Sequence, residues 1–528
     1  MLATLVTAVI NGLRGELVRV EIDVAPGLPV CHIVGLPDAA LSEARERVRS
    51  AIRNSGFDYP ASRITVNLAP ADRRKRGAAY DLAIAVGILV ASGQIRSGGG
   101  TWALLGELSL SGSVESVPGV LPMVATLARS GYTRLGVPAG NVAEAGLVTG
   151  VHAVGLAGLD DAARLVAGPR GRTAGRAERR PQVEVSGPRT GRERTRDAGA
   201  GPLTGPVEPV DLREIRGQGH ARWALEVALA GGHNLLLVGP PGAGKTLLAR
   251  SIPGLLSPLS HEEAMDVTVI ESVAGVLREG GLQRDRPFRA PHHTSSYAAL
   301  VGGGPNLRPG EATLAHHGVL FLDELAEFDR PALDALRQPL EEGFLTIARA
   351  TGRVRYPARF QLVAAMNPCR CGYFNDPGQP CRCAQGDAER YVRRVSGPFL
   401  DRIDIRIEMA RVPALELLGG PPPEGSAAVR ARIAAARAIS LGRNGGRPNA
   451  ALSGSAAVRL CALMPQVSSS LTEIASARKL SARAVHRLLR VARTIADLGG
   501  WERVMEQDVL AAMALREPIV SLDTREAA

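Results

Sequence analysis

The chain is poor in lysine, in aromatic side chains and in long apolar runs, and each shortage removes a class of explanation. Of 63 basic residues only Lys75, Lys245 and Lys479 are lysines. So strong a preference for arginine reads as compositional bias, and single arginines carry little weight. A lysine kept at position 245, inside a glycine-rich loop, marks a place that needs a compact ammonium and not a guanidinium fork. Aromatic residues make up 3% of the chain, which disfavours a nucleic-acid surface built on stacked rings but leaves a positive groove for phosphates open. No stretch is long enough to span a bilayer: residues 82–91 are apolar but too few, and Asp81 precedes them. Residues 1–10 are apolar without a basic leader or cleavage site, and they run into an alternating strand pattern, so neither a signal peptide nor a membrane partner is expected. Six cysteines, four of them in two tight pairs, suit a reducing cytoplasm.

At 528 residues the chain has room for about three domains. Residues 1–166 alternate strand patterns (18–24, 64–68) with helical ones (39–54, 80–91), separated by Gly/Pro turns, and read as a compact α/β domain. Residues 167–207 carry nine arginines against four acids, with many Gly and Pro and no apolar period. This is the composition of a disordered linker, and it accounts for part of the net charge of +11. A second folded domain is expected over 208–412, a second linker over 413–424 and a helical domain over 425–528.

The stretch from Asn234 to Arg250 organises the rest. An apolar run that reads as a buried strand leads into Gly239, Pro240, Pro241, Gly242, Ala243, Gly244, Lys245 and Thr246, and then into a helix. Glycines at 239, 242 and 244 let backbone N–H groups converge on phosphate, and the helix start adds its dipole. Lys245 would reach the β- and γ-phosphates of ATP, and the Thr246 hydroxyl would hold Mg²⁺. Further on, Val-Leu-Phe-Leu ends in Asp323 and Glu324: the first suits Mg²⁺, the second a water to be deprotonated. A third apolar strand, 360–366, ends at Asn367, in the place of an amide between water and γ-phosphate. Arg402, flanked by Asp401 and Asp404, stands between a helix and a strand and is the candidate arginine finger for a neighbouring subunit; an ion pair with either acid is the competing reading. Along 480–498, Arg483, Arg487, Arg490 and Arg493 fall on one helical face, with apolar residues opposite, and a solvated basic face accounts for the later three. Arg483, at the helix start, matches a lid arginine reaching a γ-phosphate.

Two motif sets carry a resemblance. Residues 67–82 and 106–112 resemble the Lon-protease-like domain, whose peptidases use a Ser–Lys dyad. By that spacing the serine position holds Ala79 and the lysine position falls near Leu121, while Lys75 lies off the second motif. A non-proteolytic scaffold is expected. The runs Arg289-Ala-Pro-His-His-Thr-Ser-Ser, Leu300-Val-Gly-Gly-Gly-Pro, Pro309-Gly-Glu-Ala-Thr and Ala364-Ala-Met-Asn-Pro-Cys are similar to those of the YifB/ComM family of magnesium-chelatase-like AAA+ ATPases, outside the 167–207 linker. The resemblance implies an α/β AAA+ P-loop core with a helical C-terminal lid. It also implies ATP and Mg²⁺, a homo-oligomeric, hexameric ring, and DNA as partner, since ComM members are DNA helicases driving branch migration of incoming DNA. An ATPase that remodels a protein partner is the competing class.

Two stretches are candidates for the ring's pore: residues 300–309, and 346–356, a hairpin turning at Gly352 with Arg353 and Arg355 on one face, suited to phosphates or merely solubilising. The pairs His292-His293 and His316-His317 read as packing or loop hydrogen bonding more than as metal ligands. Cys369, Cys371, Cys381 and Cys383, spaced C-x-C-x9-C-x-C, are either four zinc ligands or free thiols in a loop. Cys31 and Cys461 read as ordinary buried thiols.

Overall fold

Alternation of apolar and polar residues turns the first 25 residues into a hairpin. In the computed structural model, β1 (Leu2–Asn11) and β2 (Arg14–Ala25) pair antiparallel from Leu2 opposite Asp23 to Asn11 opposite Arg14. Val18, Val20 and Ile22 point into the core while Arg19 stays exposed, the period-2 pattern of a half-buried strand. The structure describes residues 1–34, 38–70, 77–98, 100–168, 209–278, 281–304, 307–349, 352–419 and 423–516. Lys75 and the expected linker beyond Gly168 lie outside the described residues. With β3 (Val30–Val34), β4 (Arg63–Ala69), β5 (Ala103–Leu104), β6 (Arg134–Pro138) and β7 (His152–Leu156), the hairpin forms a seven-stranded sheet in the order β3-β4-β2-β1-β5-β6-β7. Helices α1 (Asp38–Asn54), α2 (Asp81–Ala91) and α3 (Val120–Arg129) belong to this unit. Apolar on every side beyond Asp81, whose buried carboxylate pairs with Arg47 at 2.7 Å, α2 is buried along nearly its whole length.

Ala79 is buried against Val120 and Met123, and Leu121 is 1% exposed with its N–H donating to Glu144 at 2.8 Å. The positions expected for a serine and a lysine therefore hold apolar side chains sealed in a core. The same region meets the next part of the chain: on α4 (His261–Ala274), the Ser272 hydroxyl donates to Glu144, and its carbonyl accepts from the Gly119 N–H at 2.9 Å.

The second sheet is parallel and five-stranded. Its members are β8 (Leu235–Val238), β9 (Phe288–Arg289), β10 (Val319–Leu322), β11 (Gln361–Met366) and β12 (Ile405–Glu408), in the order β9-β10-β11-β8-β12. Both faces are covered. Leu235 and Leu237 pack with Val227, Ile433 and Leu489, whereas Leu236 and Val238 pack with Leu320, Leu322 and Phe399. A strand buried on both faces reads as an unbroken apolar run, and every residue of β8 is buried.

The lid follows as helices, among them Ser426–Arg443, Gly454–Cys461, Pro465–Ala477, Ala482–Leu498 and Glu506–Ala514. Residues 414–418, inside the expected second linker, form a short helix. The solvated basic face expected on Ala482–Leu498 is absent: Arg487 is 5% exposed and Arg493 fully buried. Arg493 is held by Asp497 one turn on and by the Glu502 carbonyl at 2.8 Å, and Arg443 makes a bidentate pair with the same Asp497 at 2.6 and 2.8 Å. A guanidinium supplied with that many acceptors can be buried at modest cost, so helical spacing alone misreads the face. Among the other two cysteines, Cys461 is buried and Cys31 only partly so.

The expected hairpin is present, but Gly352 lies on its return strand and not at its turn. Strands Phe344–Arg349 and Gly352–Pro357 pair with Arg349 opposite Gly352, which makes Gly352 the first residue of the return strand. Arg353 and Arg355 are exposed, and the Arg355 guanidinium lies 3.4 Å from the centre of the Phe344 ring. Beneath them, Leu307, Ile347 and Tyr356 form a small cluster with Leu13 of the first hairpin.

Candidate ATP site

Strand β8 delivers the glycine loop to one edge of the parallel sheet, and a helix begins at Lys245. Gly242 (φ 81°) and Gly244 (φ 90°) occupy the left-handed region, and a Cβ on either would meet nothing within 4 Å. The loop thus bends around open space, as a phosphate cradle requires. Lys245 is 8% exposed, and its ammonium donates to the carbonyls of Gly239 and Pro240 at 2.6 and 2.9 Å and to Asn367 Oδ1 at 3.1 Å. Burial draws its pKa down to about 8, against the pull of Asp323 and Glu324. Thr246 Oγ1 donates to Asp323 Oδ2 at 2.6 Å, which brings together the two side chains that would hold Mg²⁺. Residues from β8, β10 and β11 converge here because all three strands end on the same edge. The donors and carboxylates fit a magnesium-bound triphosphate.

Glu324 follows Asp323 with φ 53°, an uncommon backbone for a residue with a Cβ. Its Oε2 lies 2.8 Å from His293 Nδ1. The sequence offered His293 only as a member of a histidine pair; its contact with the candidate base depends on how the loop after β9 folds over the strand ends. His316, by contrast, is buried, in a group with His317 and Asp266 whose ring nitrogens and carboxylate oxygen lie within 4.8 Å of one another. Its Nδ1 accepts from the Arg359 N–H at 3.0 Å, and burial, with His317 and Arg359 nearby, pushes its pKa down to about 3.

Arg402 and Arg483 lie elsewhere. Asn234, just before β8, donates to the Arg402 carbonyl at 2.8 Å, so Arg402 stands at the edge where the strands begin. The four residues of β8 lie between that edge and Gly239, so the five steps from Asn234 to Gly239 span about 16 Å. The Arg402 guanidinium pairs with Glu341 Oε1 at 2.6 Å, and Arg483 reaches the same oxygen at 2.6 Å. The ion pair considered from the sequence therefore exists, but with Glu341 and not with Asp401 or Asp404; Asp404 faces the buried His233 at 3.5 Å. Nothing near Arg402 in the sequence marks Glu341 as its partner. In this conformation Arg483 meets Arg402, not the glycine loop of its own chain.

The four cysteines do come together. Sγ of Cys369 lies 3.4 Å from Cys371 and 3.8 Å from Cys381, Cys371 and Cys381 are 3.5 Å apart, and all four sulfurs lie within 4.8 Å of one another.

A glycine loop, a strand ending in paired carboxylates and an amide at the next strand end, all on one edge of a parallel sheet, define an AAA+ P-loop ATPase. Three family descriptions match along the chain: "Magnesium chelatase, subunit ChlI" over residues 211–417, "Subunit ChlI of Mg-chelatase" over 20–141 and "Magnesium chelatase, subunit ChlI C-terminal" over 423–516. YifB of Escherichia coli is 41% identical over 508 residues, 96% of this chain and 95% of that protein. The competence protein ComM of Haemophilus influenzae is 41% identical over the same length and the same shares. Lon protease 2 of Bacillus subtilis is 31% identical over 150 residues, 27% of each chain. The chain belongs to the YifB/ComM family of magnesium-chelatase-like AAA+ ATPases, for which ATP and Mg²⁺ are the expected ligands. Among the described residues no helix is long and apolar enough to cross a membrane.

Proposed function

We propose that the chain is a cytoplasmic, ring-forming ATP-hydrolysing motor that acts on DNA, each ATP site being completed by Arg402 and Arg483 of a neighbouring copy in a hexamer. One observation carries this reading: Lys245 and the Arg402–Arg483 pair stand at opposite edges of one sheet. A single copy thus offers half of a site on each edge, and rotation about a ring axis joins the halves. Within the proposed site Lys245 binds the β- and γ-phosphates, and Thr246 and Asp323 hold Mg²⁺, which supplies neutralisation of phosphate charge. Glu324 takes the proton of the attacking water, and His293 fixes its carboxylate beforehand. Asn367 orients the water from the third strand end. Arg402, freed from Glu341, stabilises charge on the neighbour's γ-phosphate. Zinc at the four cysteines is the remaining cofactor of this reading.

Two features support DNA as the substrate. Arg353 and Arg355 are exposed along one strand of a hairpin, where they can track phosphates, and a relative 41% identical is a competence protein. Branch migration is the finer activity proposed. The test is ATP turnover of the purified chain alone and with single strands, duplex or a four-way junction. Stimulation greatest with the junction is expected. Turnover indifferent to every DNA would overturn the reading in favour of a motor that remodels a protein.

A further inference from the structure

Between Asn367 and α-helical residue Asp387, the chain runs without helix or strand, yet it lies against the phosphate loop. The loop has little apolar burial to hold it: Cys369 is buried, while Tyr373 and Phe374 are only partly so. A chain connection and three contacts fix its place. Cys369 comes two residues after Asn367, which itself follows the end of β11 at Met366. Gly372 (φ 89°) presses on Pro241, where a Cβ would come within 2.5 Å of Cδ and 2.8 Å of Cγ. Arg411, just beyond β12, pairs with the buried Asp376 at 3.2 Å and stacks on Tyr373 at 5.2 Å. The segment that positions Asn367 is therefore braced against the loop that holds Lys245.

The sulfur geometry suits one shared ion. Four sulfurs each 2.3 Å from one ion stand about 3.8 Å apart in a tetrahedron. The observed separations of 3.4, 3.5 and 3.8 Å equal that edge or fall a little short of it, and Cys383 lies within the same 4.8 Å group. The values are too long for a disulfide bond, which needs about 2.05 Å. Soft thiolates in a set of four select zinc over harder cations.

We propose that Cys369, Cys371, Cys381 and Cys383 hold one zinc ion, and that this ion is the brace that sets Asn367 and Pro241 at the phosphate site, so that zinc occupancy controls nucleotide binding and turnover. Zinc closes the loop at both ends of its nine-residue middle. With the ends tied, the Gly372–Pro241 contact transmits the position of the thiolate cluster to the phosphate loop. Without zinc, the same residues have too little buried surface to hold that contact. The coupling rests on the ATP-site reading; the metal site does not.

The experiment uses the full chain purified without chelator. About one zinc per chain by elemental analysis is expected, and none in Cys381→Ser/Cys383→Ser, whose nucleotide affinity falls by about tenfold or more. Metal-free wild-type protein would overturn the site whatever its turnover. Since loss of zinc can unfold the loop, Gly372→Ala supplies a second arm: it keeps all four thiols and its zinc but drives a methyl into Pro241, and its affinity should also fall by about tenfold. Unchanged affinity in Gly372→Ala would overturn the coupling. Lys245→Ala should keep zinc and lose nucleotide. Wild-type protein that carries zinc yet binds no ATP would leave the metal site standing and sink the ATP reading, and the coupling with it.

Discussion

Arg402 and Arg483 donate to a single carboxylate oxygen, Glu341 Oε1, each at 2.6 Å. Two guanidiniums from the ATPase core and the lid are thereby held as one unit, and the Glu341 carboxyl, beside Arg402 and then Arg483, is kept below its usual pKa. A unit of two cations at a subunit's edge is what a neighbour's triphosphate would draw upon. Arg402→Ala should bind ATP normally and hydrolyse it about 10³-fold more slowly, the lower range for a missing arginine finger. Mixing it with Lys245→Ala should restore part of the turnover, because some interfaces then combine an intact loop with an intact arginine. Absence of any recovery on mixing would refute action across subunits.

Within the loop, Lys245→Ala should abolish nucleotide binding, while Glu324→Gln should bind ATP and fail to turn it over. Burial lowers the Lys245 pKa to about 8, so the free ammonium is present below that pH and is lost as pH rises through it. Nucleotide affinity should therefore be flat near neutrality and decline above about pH 8. Fluorescent-nucleotide titration across that range measures the fall; an affinity that rises with pH would contradict it.

The first sheet should not support peptide cleavage, because Ala79 and Leu121 are packed in its core. Unfolded protein substrates should remain intact with ATP present, and serine-directed covalent probes should leave residues 1–166 unlabelled. Labelling of a serine there would place the nucleophile at another position.

Arg353 is the cleaner probe of the hairpin, since Arg355 also stacks on Phe344. Arg353→Ala should remove stimulation by DNA and spare basal turnover, and stimulation of the wild type should weaken steeply with salt as released counterions lose their drive. Equal loss of basal and stimulated turnover would assign the hairpin a folding role.

In the lid, Asp497→Ala leaves Arg493, fully buried, and Arg443 without their shared carboxylate. Loss of about 3–5 kcal/mol in unfolding free energy is expected, read by denaturant unfolding of the helical signal. A loss near zero would mean that the Trp501 and Glu502 carbonyls suffice.

What was legible in the sequence follows from local chemistry. The glycine loop, Asp323, Glu324 and Asn367 each sit where a buried strand ends, and an apolar run ended by a polar residue can be read without coordinates. The α/β character and the helical lid were legible for the same reason: periodicity is a property of neighbouring residues. The sulfur spacing suggested a metal but left free thiols open, because whether two distant pairs meet depends on the loop between them.

Tertiary structure alone decided which charges are shared. The helical period grouped Arg483, Arg487, Arg490 and Arg493 on one face, but it could not reveal that Asp497 and the carbonyls of Trp501 and Glu502 bury Arg493. Nor could it bring Glu341 to Arg402 and Arg483, or His293 to Glu324. Those contacts join residues on separate elements, and their distances are set by how the parallel sheet orders its strands and packs its helices, which no local pattern encodes.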